Sequence, residues 1–273
     1  MPALTDQDRA FFEENGYLIL RNAVPKQNCD AVIEDIFSFL QMTPNDRDDW
    51  YRPPLHPGGN VELYHTRSMW NNRQHPRIHE AFAELWGTAK LQCSIDRVGF
   101  KVPAHPAHPG WADGLCLHWD YYDVEHLPMP FGLQGVLCLT DTAADQGGFH
   151  CVPGGHKQLT RTPRPGEVLK APDLKALTPT PVPANGGDLI IWHRALPHGN
   201  GRNRSTHPRL AQYITMRPAG ENRDDERRLR VASWKQRCAK KEADPSRADS
   251  LPEPADIHLT PLGRRLLGVD RWS

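Results

Sequence analysis

The chain has 273 residues, which suits one large domain, and its 33 basic and 33 acidic side chains leave no formal net charge. This balance argues against the positive field by which proteins bind nucleic acid or an anionic membrane, and no apolar stretch has the length of a transmembrane helix. The polar start MPALTDQDRA is unlike a signal peptide, and the six cysteines form no CxxC pair. We therefore expect a cytoplasmic protein without a zinc knuckle or a disulfide framework.

The first ninety residues predict helices around a single strand. Thr5 is a suitable N-cap for a helix over DQDRAFFEEN, which Gly16 would end, and YLILRNAV then predicts a strand. A second helix is predicted from Pro25, because PKQNCDAVIEDIFSFLQM repeats apolar side chains at helical spacing. Residues 43–62 are rich in Pro, Asp, Asn and Gly and predict a loop, and PRIHEAFAELWG predicts a third helix.

From about residue 91 to residue 217 the pattern changes to short apolar runs separated by turn signals. The predicted strands are LQCSIDRVGFKV, GLCLHWDYYDV, GLQGVLCLTD, GFHCVP, GDLIIWH and RLAQYITMRP. No helical pattern interrupts them after residue 110, which favours an antiparallel sandwich or barrel over a parallel sheet. The tail, residues 218–273, predicts a very charged helix, ENRDDERRLRVASWKQRCAKKE, and a short amphipathic ending, LTPLGRRLLGVDRW.

The segment LHWD, residues 117–120, carries a possible pair of metal ligands. Residues two apart in an extended chain point to the same side, so His118 and Asp120 share one face. A third ligand must come from another strand, and His193 and His198 in GDLIIWHRALPHGNG are the candidates, His193 being nearer the strand body. Two histidines and one carboxylate are the ligand set of a non-haem Fe(II) oxygenase.

Arg209 adds a second signal, because it lies within an otherwise apolar strand. An unpaired buried guanidinium is costly, so this side chain needs an anionic partner. A dicarboxylate co-substrate would provide one through a bidentate contact.

The segment 117–217 resembles the phytanoyl-CoA dioxygenase family of Fe(II)/2-oxoglutarate oxygenases. The resemblance is carried by the H-x-D pair at residues 118–120, the VPGGH turn, the Gly187-Asp188 step, the His198-Gly199 pair and Arg209 eleven residues after His198. FFEENGYLILRNAV also resembles the opening of the family, and LTPLGRRLLG resembles an ending common in one of its branches. The resemblance covers nearly the whole chain and is strongest in the middle.

This resemblance implies a mainly β fold with flanking helices, a double-stranded β-helix of the jelly-roll or cupin type. We expect one oxygenase domain over residues 1–273, with a helical N-terminal flank of about residues 1–90, a barrel core of about 91–217 and a helical tail over 218–273. The implied iron ligands are His118, Asp120 and His198, and Arg209 is implied to bind the distal carboxylate of 2-oxoglutarate. The implied cofactors are Fe(II), 2-oxoglutarate and O2, with ascorbate as a candidate supporting reductant.

Two departures from the family pattern concern neighbouring positions. Trp119 stands between the first two ligands, where Gln is common, and Asn200 stands where a Ser often helps to hold the co-substrate. An asparagine amide can donate a hydrogen bond, so Asn200 is retained as a co-substrate contact. Lys101 and Gln134 are weaker candidates for contacting a carboxylate, since an exposed lysine and a satisfied strand amide are the commoner outcomes.

The leading functional hypothesis is a dioxygenase that hydroxylates a small molecule and releases succinate and CO2, acting as a monomer or homodimer. The same cofactors would also support desaturation, epoxidation or cyclisation in natural-product biosynthesis. Halogenation is disfavoured, because Asp120 occupies the position that halogenases of this class leave to chloride. An alternative of another class is a metal-binding barrel without oxygenase activity, or one that uses zinc for hydrolysis.

Overall fold

The computed structural model describes residues 2–120, 127–165, 167–220 and 223–272, and antiparallel strands form its centre. In chain order the strands are β1 (Tyr17–Leu20), β2 (Asn60–Val61), β3 (Leu91–Cys93), β4 (Val98–Lys101), β5 (Leu133–Cys138), β6 (Phe149–Cys151), β7 (Thr180–Pro181), β8 (Leu189–His193), β9 (His198–Asn200), β10 (Arg209–Tyr213) and β11 (Met216–Pro218). The helices are α1 (Asp6–Asn15), α2 (Lys26–Leu40), α3 (Arg67–Arg73), α4 (Pro76–Trp86), α5 (Lys157–Thr160), α6 (Asp224–Gln236) and α7 (Pro261–Leu267).

Six strands form the main sheet, in the order β1-β8-β5-β10-β4-β2, and each neighbouring pair is antiparallel. A second sheet has the order β7-β6-β9, and β11 pairs with β3 in a third. The predicted mainly β fold with flanking helices is confirmed, and it matches the jelly-roll architecture although the sheets are not closed into a continuous barrel.

The main sheet is buried on both faces, because successive side chains of each strand point to opposite sides. On β8, Leu189 and Ile191 pack in the core cluster that also contains Phe12 of α1 and residues of α2, on the helical side of the sheet. Ile190 and Trp192 belong to a different cluster, with Phe149 of the second sheet. Burial on both faces explains why GDLIIWH is continuously apolar instead of alternating.

The predicted ends of the first helix are confirmed in atomic detail. The Thr5 hydroxyl accepts from the Asp8 backbone N–H at 3.1 Å, while the Asp8 carboxylate accepts from the Thr5 N–H at 2.9 Å, which is a capping box. Gly16 ends the helix with φ of 77°, in the left-handed region that glycine adopts without a steric penalty. These caps set where β1 enters the main sheet.

Several elements differ from the predicted ones. The run LQCSIDRVGFKV divides into β3 and β4, which belong to different sheets, and the Asp96 side chain between them accepts from the Arg97 backbone N–H at 2.8 Å. A side chain that bonds the neighbouring backbone competes with a strand ladder. The predicted loop 43–62 ends in β2, which pairs with β4, so the N-terminal flank contributes two strands to the sheet.

The segment GLCLHWDYYDV, predicted as one strand, shows a single antiparallel bridge between His118 and His198, and its residues 121–124 lie outside the described part of the chain. The charged tail helix is confirmed as α6. The first two residues of the predicted segment, 221 and 222, lie outside the described part of the chain. Among the residues described, no helix is both long and apolar enough to cross a membrane.

Candidate metal centre

His118, Asp120 and His198 come together at one end of the second sheet. The backbone N–H of His118 donates to the His198 carbonyl at 2.9 Å, and the reverse hydrogen bond measures 3.2 Å. This antiparallel bridge places the two imidazole rings side by side, with centroids 4.7 Å apart, and Asp120 lies on the same face as His118. One ligand atom from each of the three side chains lies within 4.8 Å of the other two.

Backbone carbonyls orient both imidazoles. His118 Nδ1 lies 2.9 Å from the carbonyl oxygen of Cys116, and His198 Nδ1 lies 2.9 Å from that of Leu196. A carbonyl can only accept, so Nδ1 of each ring carries a hydrogen, and Nε2 donates to Asp120 when the ring is protonated or offers its lone pair to a metal when the ring is neutral. Both Nε2 atoms face the carboxylate of Asp120, which is the arrangement in which two histidines can bind a metal.

Asp120 is held by polar neighbours on both carboxylate oxygens. Its Oδ1 lies 3.1 Å from His118 Nε2, and its Oδ2 lies 3.6 Å from His198 Nε2 and accepts a hydrogen bond from the Gln134 amide. Trp192 Nε1 donates to the Gln134 Oε1 at 3.1 Å, which fixes the orientation of that amide. The hydrogen bond from His118, followed by that from His198, holds the pKa of Asp120 well below its usual range, so the carboxylate is ionised.

The three side chains open into a cavity of about 190 Å³ between the main sheet and the second sheet. Its wall contains both polar and apolar residues. The residues that line it are Asn60, Asp96, Arg97, Leu115, His118, Asp120, Gln134, Gly135, Val136, Phe149, Trp192, His198, Gly199, Asn200, Arg209, Tyr213 and Thr215.

Arg209 lines this cavity and has no anionic partner among the residues described. Its side chain is buried at the start of β10, with only 3% of the residue exposed, and Nε lacks any hydrogen-bond acceptor. A buried guanidinium without a counter-ion is unfavourable in the protein alone. The cavity therefore offers an anion a fork of donors in the same space as the three candidate metal ligands.

The weaker candidates for contacting the co-substrate have different positions. Asn200 lines the cavity at the end of β9, and Gln134 lines it with its amide nitrogen bonded to Asp120. Lys101 lies opposite Arg209 in the β4–β10 pair, but its ammonium donates to the carbonyls of Gly58, at 3.4 Å, and Asp113. Lys101 is buried away from the cavity wall, and this burial lowers its pKa to about 8, with a further contribution from the charge of Arg209.

His193, the alternative to His198, is placed elsewhere. It ends β8 with 5% of the residue exposed, its Nδ1 accepts from the Ala195 N–H at 3.0 Å, and its ring lies 5.4 Å from that of His156. Burial lowers the pKa of His193 to about 4, so the ring is neutral. The group of candidate ligands found among the described residues contains His198 and not His193.

The cavity also contains residues that sequence reasoning did not identify. Tyr213 lies on β10 four residues after Arg209, so the two-residue period of a strand would have placed it on the same face. A Cβ atom at Gly99 would lie 3.6 Å from the Tyr213 hydroxyl and 3.7 Å from Arg209 Nη1, which shows that both side chains reach one place. Asp96 has no comparable signal, because it enters the wall only through the break between β3 and β4.

A family model described as phytanoyl-CoA dioxygenase matches residues 12–211 of the chain. Among curated relatives, Ava biosynthesis cluster protein O of Aspergillus versicolor is 27% identical, and the match covers 76% of each chain. The dioxygenase olcK of Penicillium canescens is 22% identical over the whole of this chain and 83% of its own length.

Solved structures support the fold. The non-haem α-ketoglutarate-dependent epimerase SnoN from nogalamycin biosynthesis superposes with a TM-score of 0.58 and 20% identity, over 78% of this chain and 83% of that one. A hypothetical protein from Escherichia coli reaches a TM-score of 0.66 at 17% identity, over 97% of this chain and 82% of that one.

Proposed function

The chain belongs to the phytanoyl-CoA dioxygenase family, and from this premise we propose that it is an Fe(II)- and 2-oxoglutarate-dependent dioxygenase that hydroxylates a small molecule. One observation carries the proposal. The candidate ligand atoms of His118, Asp120 and His198 lie within 4.8 Å of one another, in a cavity that also contains the unpaired guanidinium of Arg209. The proposal accounts for all four side chains at once.

The donor set fits a ferrous ion. Two imidazole nitrogens and one carboxylate oxygen, without a thiolate, form the combination that non-haem iron oxygenases use and that leaves positions open for other ligands. When bound, iron and 2-oxoglutarate supply the activation of O2, coupled to decarboxylation of 2-oxoglutarate to succinate and CO2. The protein must hold the ligands, bind the co-substrate and exclude water.

Each of the other side chains has a task that its contacts support. Arg209 pairs with the distal carboxylate of 2-oxoglutarate, which supplies the counter-ion that it lacks in the protein alone. Asn200, which lines the cavity, donates to the co-substrate. Gln134 acts as a positioning residue, because its amide holds the Asp120 carboxylate and is itself oriented by Trp192.

We propose that the chain acts as one domain, with the helical flank, the core and the tail forming a single unit. β1 and β2 of the flank are strands of the main sheet, and α7 of the tail contributes Leu266 to the core cluster beneath it. Thermal unfolding in one calorimetric transition tests this division, and two separated transitions would contradict it.

Succinate formation tests the enzymatic assignment. Metal-free protein, supplied with Fe(II) and 2-oxoglutarate under air, is expected to release succinate, slowly alone and faster with a substrate. Asp120→Ala should abolish the release and the binding of Fe(II), whereas His193→Ala, which also removes a polar side chain near residue 198, should retain Fe(II) binding. No succinate with any substrate or without one would leave a metal-binding barrel that is not an oxygenase.

The second candidate keeps the cofactors but ends in desaturation, epoxidation or cyclisation. The relative of 27% identity is named for a biosynthesis cluster, which favours a natural product as substrate under this alternative. Mass spectrometry of the product under 18O2 distinguishes the outcomes. One labelled oxygen gained without loss of hydrogen indicates hydroxylation or epoxidation, which the NMR spectrum of the product then separates, whereas loss of two hydrogens without a gain of oxygen indicates desaturation or ring closure.

A further inference from the structure

A second pocket, of about 150 Å³, lies between β3, α6 and the C-terminal end of the chain. Among the residues described, none lines both this pocket and the cavity of the metal centre. We refer to it as the C-terminal pocket, and its described lining contains six cationic side chains against two carboxylates: Lys90, Arg223, Arg227, Arg230, Arg265 and Arg271 against Asp224 and Asp270. A whole chain without net charge therefore concentrates positive charge at this place.

The two carboxylates are already engaged. Asp224 accepts from Arg227 Nε at 3.1 Å and from Arg271 at 2.8 Å on both oxygens. Asp270 accepts from Arg264, which lies outside the lining, at 2.9 and 3.1 Å. These pairs leave other cations of the pocket without a carboxylate.

Three cations have no acidic partner among the residues described: Lys90, Arg230 and Arg265. Lys90 and Arg265 are exposed at the rim, where Arg265 lies 5.5 Å over the ring of Trp272. Arg230 is 4% exposed, and its guanidinium bonds only backbone carbonyls, those of Leu267 at 3.2 Å and Glu226 at 3.4 Å. A buried guanidinium in such a setting gains from an anion more than an exposed one does.

Gln92, a buried residue in the wall of the pocket, provides an independent observation. It is 3% exposed on β3, and its Nε2 has no hydrogen-bond acceptor in the described structure. Buried amide donors in folded proteins are normally paired, so an unpaired one at a pocket wall indicates a missing acceptor. The groups of this pocket that lack a partner are thus hydrogen-bond donors and cations. A ligand that pairs with them must carry negative charge and several hydrogen-bond acceptors.

We infer that the C-terminal pocket binds the phosphate group of a small molecule, at a site separate from the metal centre. A phosphate offers several acceptor oxygens and more than one negative charge, which matches the amide, the buried guanidinium and the two rim cations. The pocket is small, and the ring of Trp272 already stacks on that of His79, with centroids 5.9 Å apart. We therefore expect the pocket to recognise the phosphate group and not an aromatic base attached to it.

Isothermal titration with inorganic pyrophosphate tests this site on metal-free protein, at an ionic strength of about 0.15 M, where exposed charges are screened. One equivalent of pyrophosphate is expected to bind. Gln92→Glu places a carboxylate in the wall of the pocket that Arg230 also lines and should weaken binding at least tenfold. The double variant Lys90→Ala/Arg265→Ala should weaken binding to the same extent. Both of its substitutions are at exposed positions, so this variant still tests the site if Gln92→Glu fails to fold.

Two variants and one competing ligand serve as controls. Lys241→Ala removes an exposed cation close to α6 but outside the pocket, and Asp120→Ala removes a candidate metal ligand; both should bind pyrophosphate within twofold of the unaltered protein. Absence of binding at millimolar pyrophosphate would overturn the inference, as would equal affinity in the pocket variants. Succinate binding as tightly as pyrophosphate to the same site would overturn the assignment to phosphate.

Discussion

At the scale of single residues, the candidate site depends on the hydrogen-bond partners of two histidines and on the missing counter-ion of one arginine. The two candidate histidine ligands donate their Nδ1 hydrogens to carbonyls of residues two positions earlier, which leaves both Nε2 atoms directed at Asp120. Arg209 is the opposite case, since its guanidinium is buried without a counter-ion. The first arrangement is the one that the proposed metal site requires, and the second is the one that the proposed carboxylate contact requires.

Replacing Arg209 by Met separates a binding role from a structural one. Without 2-oxoglutarate, the variant should unfold with a free energy equal to that of the original protein or up to about 1 kcal/mol higher, because an apolar side chain replaces an unpaired buried charge. Its KM for 2-oxoglutarate should rise by at least tenfold, with a smaller effect on kcat. Urea denaturation and steady-state succinate assays measure the two effects. A destabilised variant with an unchanged KM would mean that Arg209 is structural.

Trp192→Phe tests whether the Gln134 amide positions Asp120. The variant loses the indole donor to Gln134 but keeps an aromatic ring in the core, so we expect Fe(II) affinity to fall about tenfold. Competition with a chelator measures this affinity. Trp86→Phe is the matched control, because it removes an indole donor to the Met216 carbonyl, at 2.8 Å, away from the cavity. Equal losses in the two variants would contradict a specific role.

The lowered pKa of Lys101 predicts a dependence of stability on pH. Because the folded-state pKa of about 8 is below that of an unfolded lysine, the unfolded chain binds more protons between these two values, and stability rises with pH there. From pH 7.5 to 9.5, the free energy of unfolding should increase by about 1–2 kcal/mol more in the original protein than in Lys101→Met. Parallel pH profiles of the two proteins would show that the ammonium is not destabilised by burial.

At the scale of elements, the close approach of β9 to the segment before His118 builds the site. A Cβ atom at Gly199 would lie 2.6 Å from the Leu115 carbonyl oxygen and 2.9 Å from that of Cys116. Both contacts are with backbone that leads directly into the ligand pair. A side chain at this position would therefore force β9 away from the segment before His118.

Gly199→Ala should accordingly lower the free energy of unfolding by about 1–3 kcal/mol and weaken Fe(II) binding, because overpacking moves backbone that carries ligands. Gly58→Ala is the control, since a Cβ atom there has no neighbour within 4 Å. Chemical denaturation and chelator competition on both variants measure the effects. An unchanged affinity for Fe(II) in Gly199→Ala would mean that the bridge between His118 and His198 does not set the ligand geometry.

The elements also show which parts of the fold and of the candidate site can be predicted from the sequence. A strand period of two placed His118 and Asp120 together, and the same period would have added Tyr213 to Arg209. The choice between His193 and His198 needed the family resemblance, because both follow one apolar run and only the tertiary structure separates their environments. β2 was missed because two residues carry no periodicity, and the break near Asp96 was missed because one apolar run feeds two sheets.

At the scale of the whole molecule, a candidate metal centre lies between two sheets while the helices cover the other face of the main sheet. Strands β1 and β2, from the N-terminal flank, lie at the two edges of that sheet. The C-terminal pocket, rich in cationic side chains, is formed mainly by residues of the tail. Gln134 illustrates the limit of local reasoning. Its strand position suggested a carboxylate as partner, but only the fold identifies Asp120 as that carboxylate.

The most direct test is anomalous X-ray diffraction at the iron edge, from crystals grown without oxygen in the presence of Fe(II) and 2-oxoglutarate. The account predicts one iron peak within bonding distance of His118 Nε2, His198 Nε2 and an Asp120 oxygen, with the distal carboxylate of 2-oxoglutarate on the Arg209 guanidinium. Iron bound elsewhere, or 2-oxoglutarate bound without contact to Arg209, would contradict it.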